Sequence, residues 1–157
     1  MDAAGPETVT QDGMAALLVA VAGVYPDDLG PFPGEDPGRV ELELLALYSF
    51  TVDFSVQILL PRGADSSRVL GAFWARMKGM CDRVSATCWD TVQARVAAYA
   101  GAVNSRRSDN YVKDIGVTFS RGLGRDDVKL ANQAAVLHAA RARAVDALLK
   151  TRRLGPG

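Results

Sequence analysis

The chain of 157 residues is 48% hydrophobic and 23% charged, and its formal net charge is zero. Such a composition is ordinary for a globular protein, and the length suffices for one domain with its own core. We therefore predict a single domain over residues 1–157. The neutral balance argues against a basic nucleic-acid-binding domain.

The charges are nevertheless segregated along the chain. Residues 1–60 carry ten acidic side chains and a single basic one, Arg39. Residues 61–120 carry nine bases and five acids, and residues 121–157 carry eight bases and three acids. This block pattern predicts that an acidic front meets a basic remainder, either within one chain or between chains.

The apolar stretch 14–24 begins the predicted elements. Acids and no base precede it, which argues against a secretory signal, and it is too short to span a bilayer. We predict no membrane association and a buried first helix from Thr8 or Thr10 to Val24. The following segment, 25–39, contains four prolines and three glycines. It is predicted to be a non-helical acidic connector, anchored to the body by Leu29 and Phe32.

Residues 40–60 are open to two interpretations. The alternation that starts at Phe50 is typical of a strand, whereas an apolar stripe from Leu44 to Leu59 recurs at helical spacing. Twenty-one residues without glycine, proline or asparagine suit one helix better than one strand. We favour a helix that ends at 61–63.

The strongest periodic signal runs over 65–103, where apolar residues recur every three or four positions. It predicts a long central helical region capped by Asp65 or Ser66, with a weak point at 85–87 where one helix can become two. A loop is predicted over 104–110.

Beyond this loop, 111–119 fits a short helix or a strand. The last helix is predicted to run from Asp126 or Asp127 to about Arg153, and residues 154–157 form a predicted disordered tail. These elements predict an all-α fold, a bundle of four to five helices around the long central region. The alternative is an α+β fold in which 48–60 and 112–119 pair as strands.

The two cysteines, Cys81 and Cys88, indicate the redox state of the cellular compartment. On one continuous helix they would lie about 10 Å apart along the axis, too far to form a disulfide with each other. A reducing, cytoplasmic location is therefore expected. Their spacing does not suit a structural zinc site, so no metal or cofactor is predicted.

Four residues are candidates for ligand binding on chemical grounds. His138 is the only histidine, but no carboxylate lies one turn away, which favours a plain helix residue on a face or boundary. Asp53 lies among apolar neighbours: it is either an exposed acid on the polar face of the helix or a part-buried acid, which requires a cationic partner. Three arginines of the later helices are candidates for that partner: Arg76, Arg83 and Arg95. Arg121 and Arg125 flank the glycines before the last helix, an arrangement that weakly indicates an anion-binding site.

Trp74 and Trp89 each adjoin the apolar stripe of the central region. They lie either at the edge of the core or on the surface as interface anchors. No catalytic set is recognisable, so the leading hypothesis is a non-enzymatic interaction, accessory or regulatory module that docks a protein partner or forms a homo-oligomer. The alternative is a bundle that binds a small ligand, with or without catalysis, in an apolar pocket near Asp53. Nucleic-acid binding through the basic half ranks third.

Overall fold

Seven helices and one small strand pair make up the described part of the chain, residues 7–105 and 111–155 of a computed structural model. The helices are α1 (Gln11–Ala22), α2 (Pro26–Leu29), α3 (Pro37–Leu59), α4 (Ala64–Val84), α5 (Cys88–Ser105), α6 (Tyr111–Gly122) and α7 (Val128–Thr151). Helix accounts for 79% of these residues. The predicted all-α bundle is confirmed, with more helices than the four or five expected.

Helix α3 forms the centre of the bundle and packs against α1, α5 and α7. Every residue from Ala46 to Val52 is buried. A helix that is enclosed by neighbours on all sides is apolar all round, so its sequence lacks a polar face. The helical interpretation of 40–60 is confirmed and the strand alternative is wrong.

The other helices pack in pairs around α3. Helix α1 lies on α4, and α6 lies on α7. Gly116 permits the second contact, because a Cβ there would collide with the backbone carbonyl oxygen of Ala131. Residues 111–119 are helical, so both halves of the α+β alternative are wrong.

The long central region is divided at its predicted weak point. Ser85 adopts extended backbone and ends α4, and α5 starts at Cys88. Helix α4 begins at Ala64 with Gly63 as its N-cap, so the predicted caps, Asp65 and Ser66, are wrong and both lie inside the helix. Ser66 donates to the carbonyl oxygen of Gly63 at 3.1 Å. The predicted loop overlaps the end of α5 at 104–105, and its remainder lies outside the described residues.

The connector is partly helical, which corrects the prediction. Two of its four prolines stand at helix starts, where a missing N–H costs nothing: Pro26 opens α2 and Pro37 opens α3. Asp36 caps α3 by accepting a hydrogen bond from the backbone N–H of Arg39 at 3.3 Å. Phe32 is buried, as predicted for an anchor of this segment.

The two ends of the described chain meet in a parallel strand pair, β1 (Glu7–Val9) and β2 (Arg152–Leu154). Thr10, one of the two predicted caps, accepts a hydrogen bond from the N–H of Gly13 and begins α1. The last helix ends at Thr151, so the prediction that it runs to about Arg153 is wrong: Arg152 and Arg153 belong to β2. Leu154, predicted to lie in a disordered tail, pairs with Val9. Residues 156–157 of that tail lie outside the described residues.

Candidate functional site

Asp53 is half-buried on α3. Its Oδ2 accepts a hydrogen bond from Trp74 Nε1 at 2.6 Å, and its Oδ1 accepts one from the Gln57 amide. Within the described chain no cation pairs with this carboxylate, so the predicted arginine partner is replaced by two neutral donors.

A cavity of about 320 Å³ lies beside this carboxylate. It is lined by side chains of α3 and α5 and by the segment that follows α3. The apolar lining residues are Phe50, Phe54, Ile58, Val96, Ala100 and Val103. Three polar residues besides Asp53 complete it: Gln57, Arg62 and Asn104. The size and mixed lining are those of a small-ligand pocket.

His138 lies in the core and not at a surface. It is 2% exposed, and its Nδ1 lies 2.7 Å from Thr51 Oγ1. The Thr51 hydroxyl donates its hydrogen to the carbonyl oxygen of Leu47, so Nδ1–H is the donor to Thr51. Burial lowers the pKa of His138 to about 4. The imidazole is therefore a neutral, hydrogen-bonded core residue at physiological pH.

An aromatic cluster connects His138 with the cavity. Phe50 lines the cavity and stacks against the imidazole with ring centroids 6.4 Å apart. Phe54, which also lines it, contacts Tyr111, and Tyr111 meets the imidazole edge-on. The two sequence candidates Asp53 and His138 thus share a neighbour but do not form one site.

Arg121 lies in the last turn of α6 and Arg125 in the segment between α6 and α7; both are exposed and neither lines the cavity. Arg125 donates through Nε to Glu35 Oε1 at 3.1 Å. The N-terminus of α7 is capped by Asp127, whose Oδ1 accepts from the N–H groups of Lys129 and Leu130. A carboxylate of the chain itself therefore occupies the position where the sequence suggested an external anion.

Trp74 and Trp89 contact each other edge-to-face, with centroids 6.0 Å apart, and both are half-buried. This places them at the edge of the core, one of the two predicted positions. Trp74 has a further role that its sequence position did not indicate, since its indole N–H holds Asp53. A role as interface anchors stays a prediction.

A buried polar network lies at the contact of α3, α5 and α6, and the sequence analysis missed it. Glu43, 5% exposed, accepts hydrogen bonds from Arg95 Nε at 3.0 Å and from the Tyr99 hydroxyl at 2.6 Å. Arg95 also donates to the carbonyl oxygen of Thr118 at 2.9 Å. Glu43 lies four residues before Leu47, on the same helix face, and that spacing could have revealed its burial.

The negative charge of Glu43 stabilises the charged form of Arg95 in this network. Burial disfavours the charged form of Arg95, but the hydrogen bonds and negative charge of Glu43 raise its pKa overall. Burial and the adjacent Glu43 raise the pKa of Tyr99 well above its ordinary value. A Cβ at Gly122 would lie 2.5 Å from Glu43 Cδ and 2.6 Å from Arg95 Nη2, so the network requires glycine there.

A second internal ion pair fixes the connector to α7. Arg141 Nη2 lies 2.8 Å from Asp28 Oδ2, which also accepts from the N–H of Tyr25. The Arg141 guanidinium lies 4.2 Å from the ring centroid of Tyr48, a cation–π contact.

The charge blocks of the sequence therefore meet inside one chain. Five ion pairs of the described residues join an acid of residues 1–60 to an arginine of the later segments. They are Glu7–Arg152, Asp12–Arg76, Asp28–Arg141, Glu35–Arg125 and Glu43–Arg95. Arg76 and Arg95, two of the predicted partners of Asp53, are thus held by other acids.

The two cysteines are closer than the sequence suggested. Because the helix is broken at 85–87, Cys88 lies next to Cys81, and the expectation of two distant thiols on one helix is wrong. Both are buried and free. Burial and the neighbouring thiol raise the pKa of Cys81 to about 12. Among the described residues there is no group of three or more metal-ligating side chains.

Comparisons with known proteins found no counterpart: no family model, no curated protein and no solved structure matches this chain. One helix, α3, has the length and hydropathy to cross a membrane, but 61% of its apolar window is buried inside the bundle. The buried central helix of a bundle passes the same test of length and composition.

Proposed function

We propose that this chain is a non-enzymatic helical interaction module that docks a protein partner on the outer face of α7. The observation that carries the proposal is the exposure of two large apolar side chains there: Val128 is 76% exposed and Val136 is 66% exposed. Exposed apolar side chains that line a concave surface are typical of protein–protein contact sites.

The same face borders a broad groove of about 780 Å³ between Pro31 and the first half of α7. Val136 and Leu137 form part of its wall, and so does Gln133. The Gln133 Oε1 atom is buried and accepts no hydrogen bond from the described residues. A buried acceptor without a donor is costly, so rotation of the half-buried Gln133 side chain toward a donor of a docked partner would be favourable.

The charge of this face indicates the chemistry of the partner. Lys129 and Arg143 are exposed on it, between exposed apolar and small residues, whereas the exposed Lys150 pairs with Asp146 at 2.7 Å. Two copies that met through this face would bring like charges together, which disfavours a homo-oligomer. An amphipathic helix with acidic residues beside its apolar stripe fits both the groove and the charge. A reducing, cytoplasmic setting belongs to the same proposal, since both cysteines are free thiols.

The test is affinity purification of tagged protein from its own cells, followed by mass spectrometry. Val136→Glu removes apolar surface and places a negative charge against the acidic partner, so we expect it to lose the partner that the wild type retains. Val84→Glu is the matched control, because Val84 is 76% exposed but lies at the end of α4.

Retention of the same partner by Val136→Glu would overturn the proposal, and so would equal loss in both variants. The recovered complex should also weaken between 0.1 M and 1 M salt, because the screening length falls from about 10 Å to about 3 Å. A complex that does not respond to salt contradicts the charge argument.

A further inference from the structure

Asp53 differs from the other acids that the bundle encloses. Asp28, Glu35 and Glu43 have side chains that are 13%, 16% and 6% exposed, and each pairs with an arginine. Asp53 is half-buried as well, but none of the ion pairs in the described part of the chain includes it. Its two hydrogen bonds come from neutral groups, the Trp74 indole and the Gln57 amide.

The Asp53 carboxylate, which borders the cavity, can accept further hydrogen bonds. Two carboxylate oxygens offer about four acceptor positions, and the known donors use two of them. A charge that is partly removed from water is favourable only when a counter-charge or hydrogen bonds replace the lost hydration. The cavity beside Asp53 is the space from which a cation can approach.

We propose that this cavity binds a small organic ammonium compound with an aromatic body, with Asp53 as the counter-ion of its amine. The rings of Phe50 and Phe54 stack 5.4 Å apart and line the cavity next to the carboxylate. Phe50 is almost fully buried and its ring also stacks against Tyr99 and His138, so the ring that a ligand can reach is that of the half-buried Phe54. This ring suits an aromatic body and also attracts an adjacent cation. The volume of about 320 Å³ lies at the lower end of the range for ligand pockets, so the ligand is compact.

Arg62 determines what the other end of the ligand can be. It lies on the exposed segment after α3 and borders the same cavity. Solvent and salt screen this arginine more than they screen Asp53, so the amine contact dominates recognition. Arg62 tolerates a neutral or anionic group at the mouth and disfavours a second cation there. The site uses no residue of α7, so it is independent of the docking face proposed above.

Isothermal titration calorimetry with two probes tests the inference on the full chain. Phenethylamine carries the amine and the ring, and phenylacetate has the same ring with the opposite charge. We expect saturable binding of phenethylamine and none of phenylacetate. Asp53→Asn should weaken phenethylamine binding by at least about tenfold, since a charge-assisted contact becomes a neutral one. Glu41→Gln, an exposed acid on the same helix, should leave the affinity unchanged.

Three results would overturn the inference: no saturable binding of phenethylamine to the wild type, equal affinity in Asp53→Asn, or tighter binding of phenylacetate than of phenethylamine. Thermal unfolding establishes first that Asp53→Asn is folded. If it is not, Ala100→Leu decides, because this change fills the cavity and leaves the carboxylate in place. Undiminished binding of phenethylamine to Ala100→Leu would place the probe elsewhere and refute the site.

Discussion

Replacing Glu43 by glutamine tests whether the buried network stabilises the bundle. The change keeps the size and an acceptor for the Tyr99 hydroxyl but removes the negative charge that faces Arg95. Loss of one partner from a buried ion pair costs about 3–5 kcal/mol, because the other charge is left uncompensated. The Arg95 side chain is 26% exposed and keeps its hydrogen bond to the carbonyl oxygen of Thr118. We therefore expect a smaller loss, about 2–3 kcal/mol.

Urea unfolding followed by circular dichroism measures this loss directly. For a domain of this size it corresponds to a fall in melting temperature of roughly 4–12 °C. Glu41→Gln is the control: the residue is exposed on the same helix, and its replacement should change stability by less than about 0.5 kcal/mol.

A double-mutant cycle identifies the cause. Arg95→Met alone leaves the Glu43 carboxylate without its cation, so it should destabilise at least as much as Glu43→Gln. The double variant Glu43→Gln/Arg95→Met contains neither charge, and we expect it to lose clearly less than the sum of the two single losses. Additive losses would refute coupling between the two groups. A Glu43→Gln variant as stable as the Glu41→Gln control would refute the burial argument itself.

Three further predictions concern other parts of the bundle. Gly116→Ala should destabilise the bundle by about 1–3 kcal/mol in thermal unfolding, because the added Cβ meets the backbone of α7. Gly79→Ala, with open space around it, should stabilise the bundle by roughly 0.5–1 kcal/mol. Equal effects of the two changes would contradict the close contact between α6 and α7. The pKa of His138 is near 6.5 in the unfolded chain and about 4 in the native chain. The neutral imidazole therefore contributes about 3 kcal/mol to the free energy of unfolding above pH 6.5, and this contribution is lost as the pH falls to 4. His138→Gln should therefore lose less stability than the wild type between pH 7 and pH 4 in urea titrations, and a parallel loss would refute the assignment. Cys81, whose pKa is raised to about 12, should react with a thiol reagent only after unfolding, and rapid labelling of the native protein would contradict its burial.

The elements that were predicted correctly are those whose signals are local. Thr10 caps α1 and Asp127 caps α7, each through a side chain that accepts from N–H groups two or three residues later. The helix break falls at the predicted weak point, 85–87, although the apolar spacing of three and four residues continues across it. The strand interpretation of 48–60 is wrong because alternation over a few residues also occurs in a helix that is buried on all sides.

The pairings that the sequence analysis missed are all distant along the chain. Arg95 and Glu43 are 52 positions apart, and Arg141 and Asp28 are 113 positions apart. Local patterns cannot select one of many arginines for one acid, since that choice depends on how the helices pack. The parallel pairing of β1 with β2 joins the two ends of the chain and has only three residues in each strand, too few for a periodic signal.

The packing of the helices decides which acid pairs with Arg95, and this pairing bears on both proposals. Asp53 and Glu43 are ten residues apart on α3, about 15 Å along the helix axis, so only one of them can reach Arg95 of α5. Glu43 does, and Asp53 is left facing Trp74 and a cavity. The internal ion pairs similarly neutralise much of the acidic front. None of those in the described chain includes Asp53 or Arg143, and charges without an internal partner are the ones that a ligand or a docked protein can recognise.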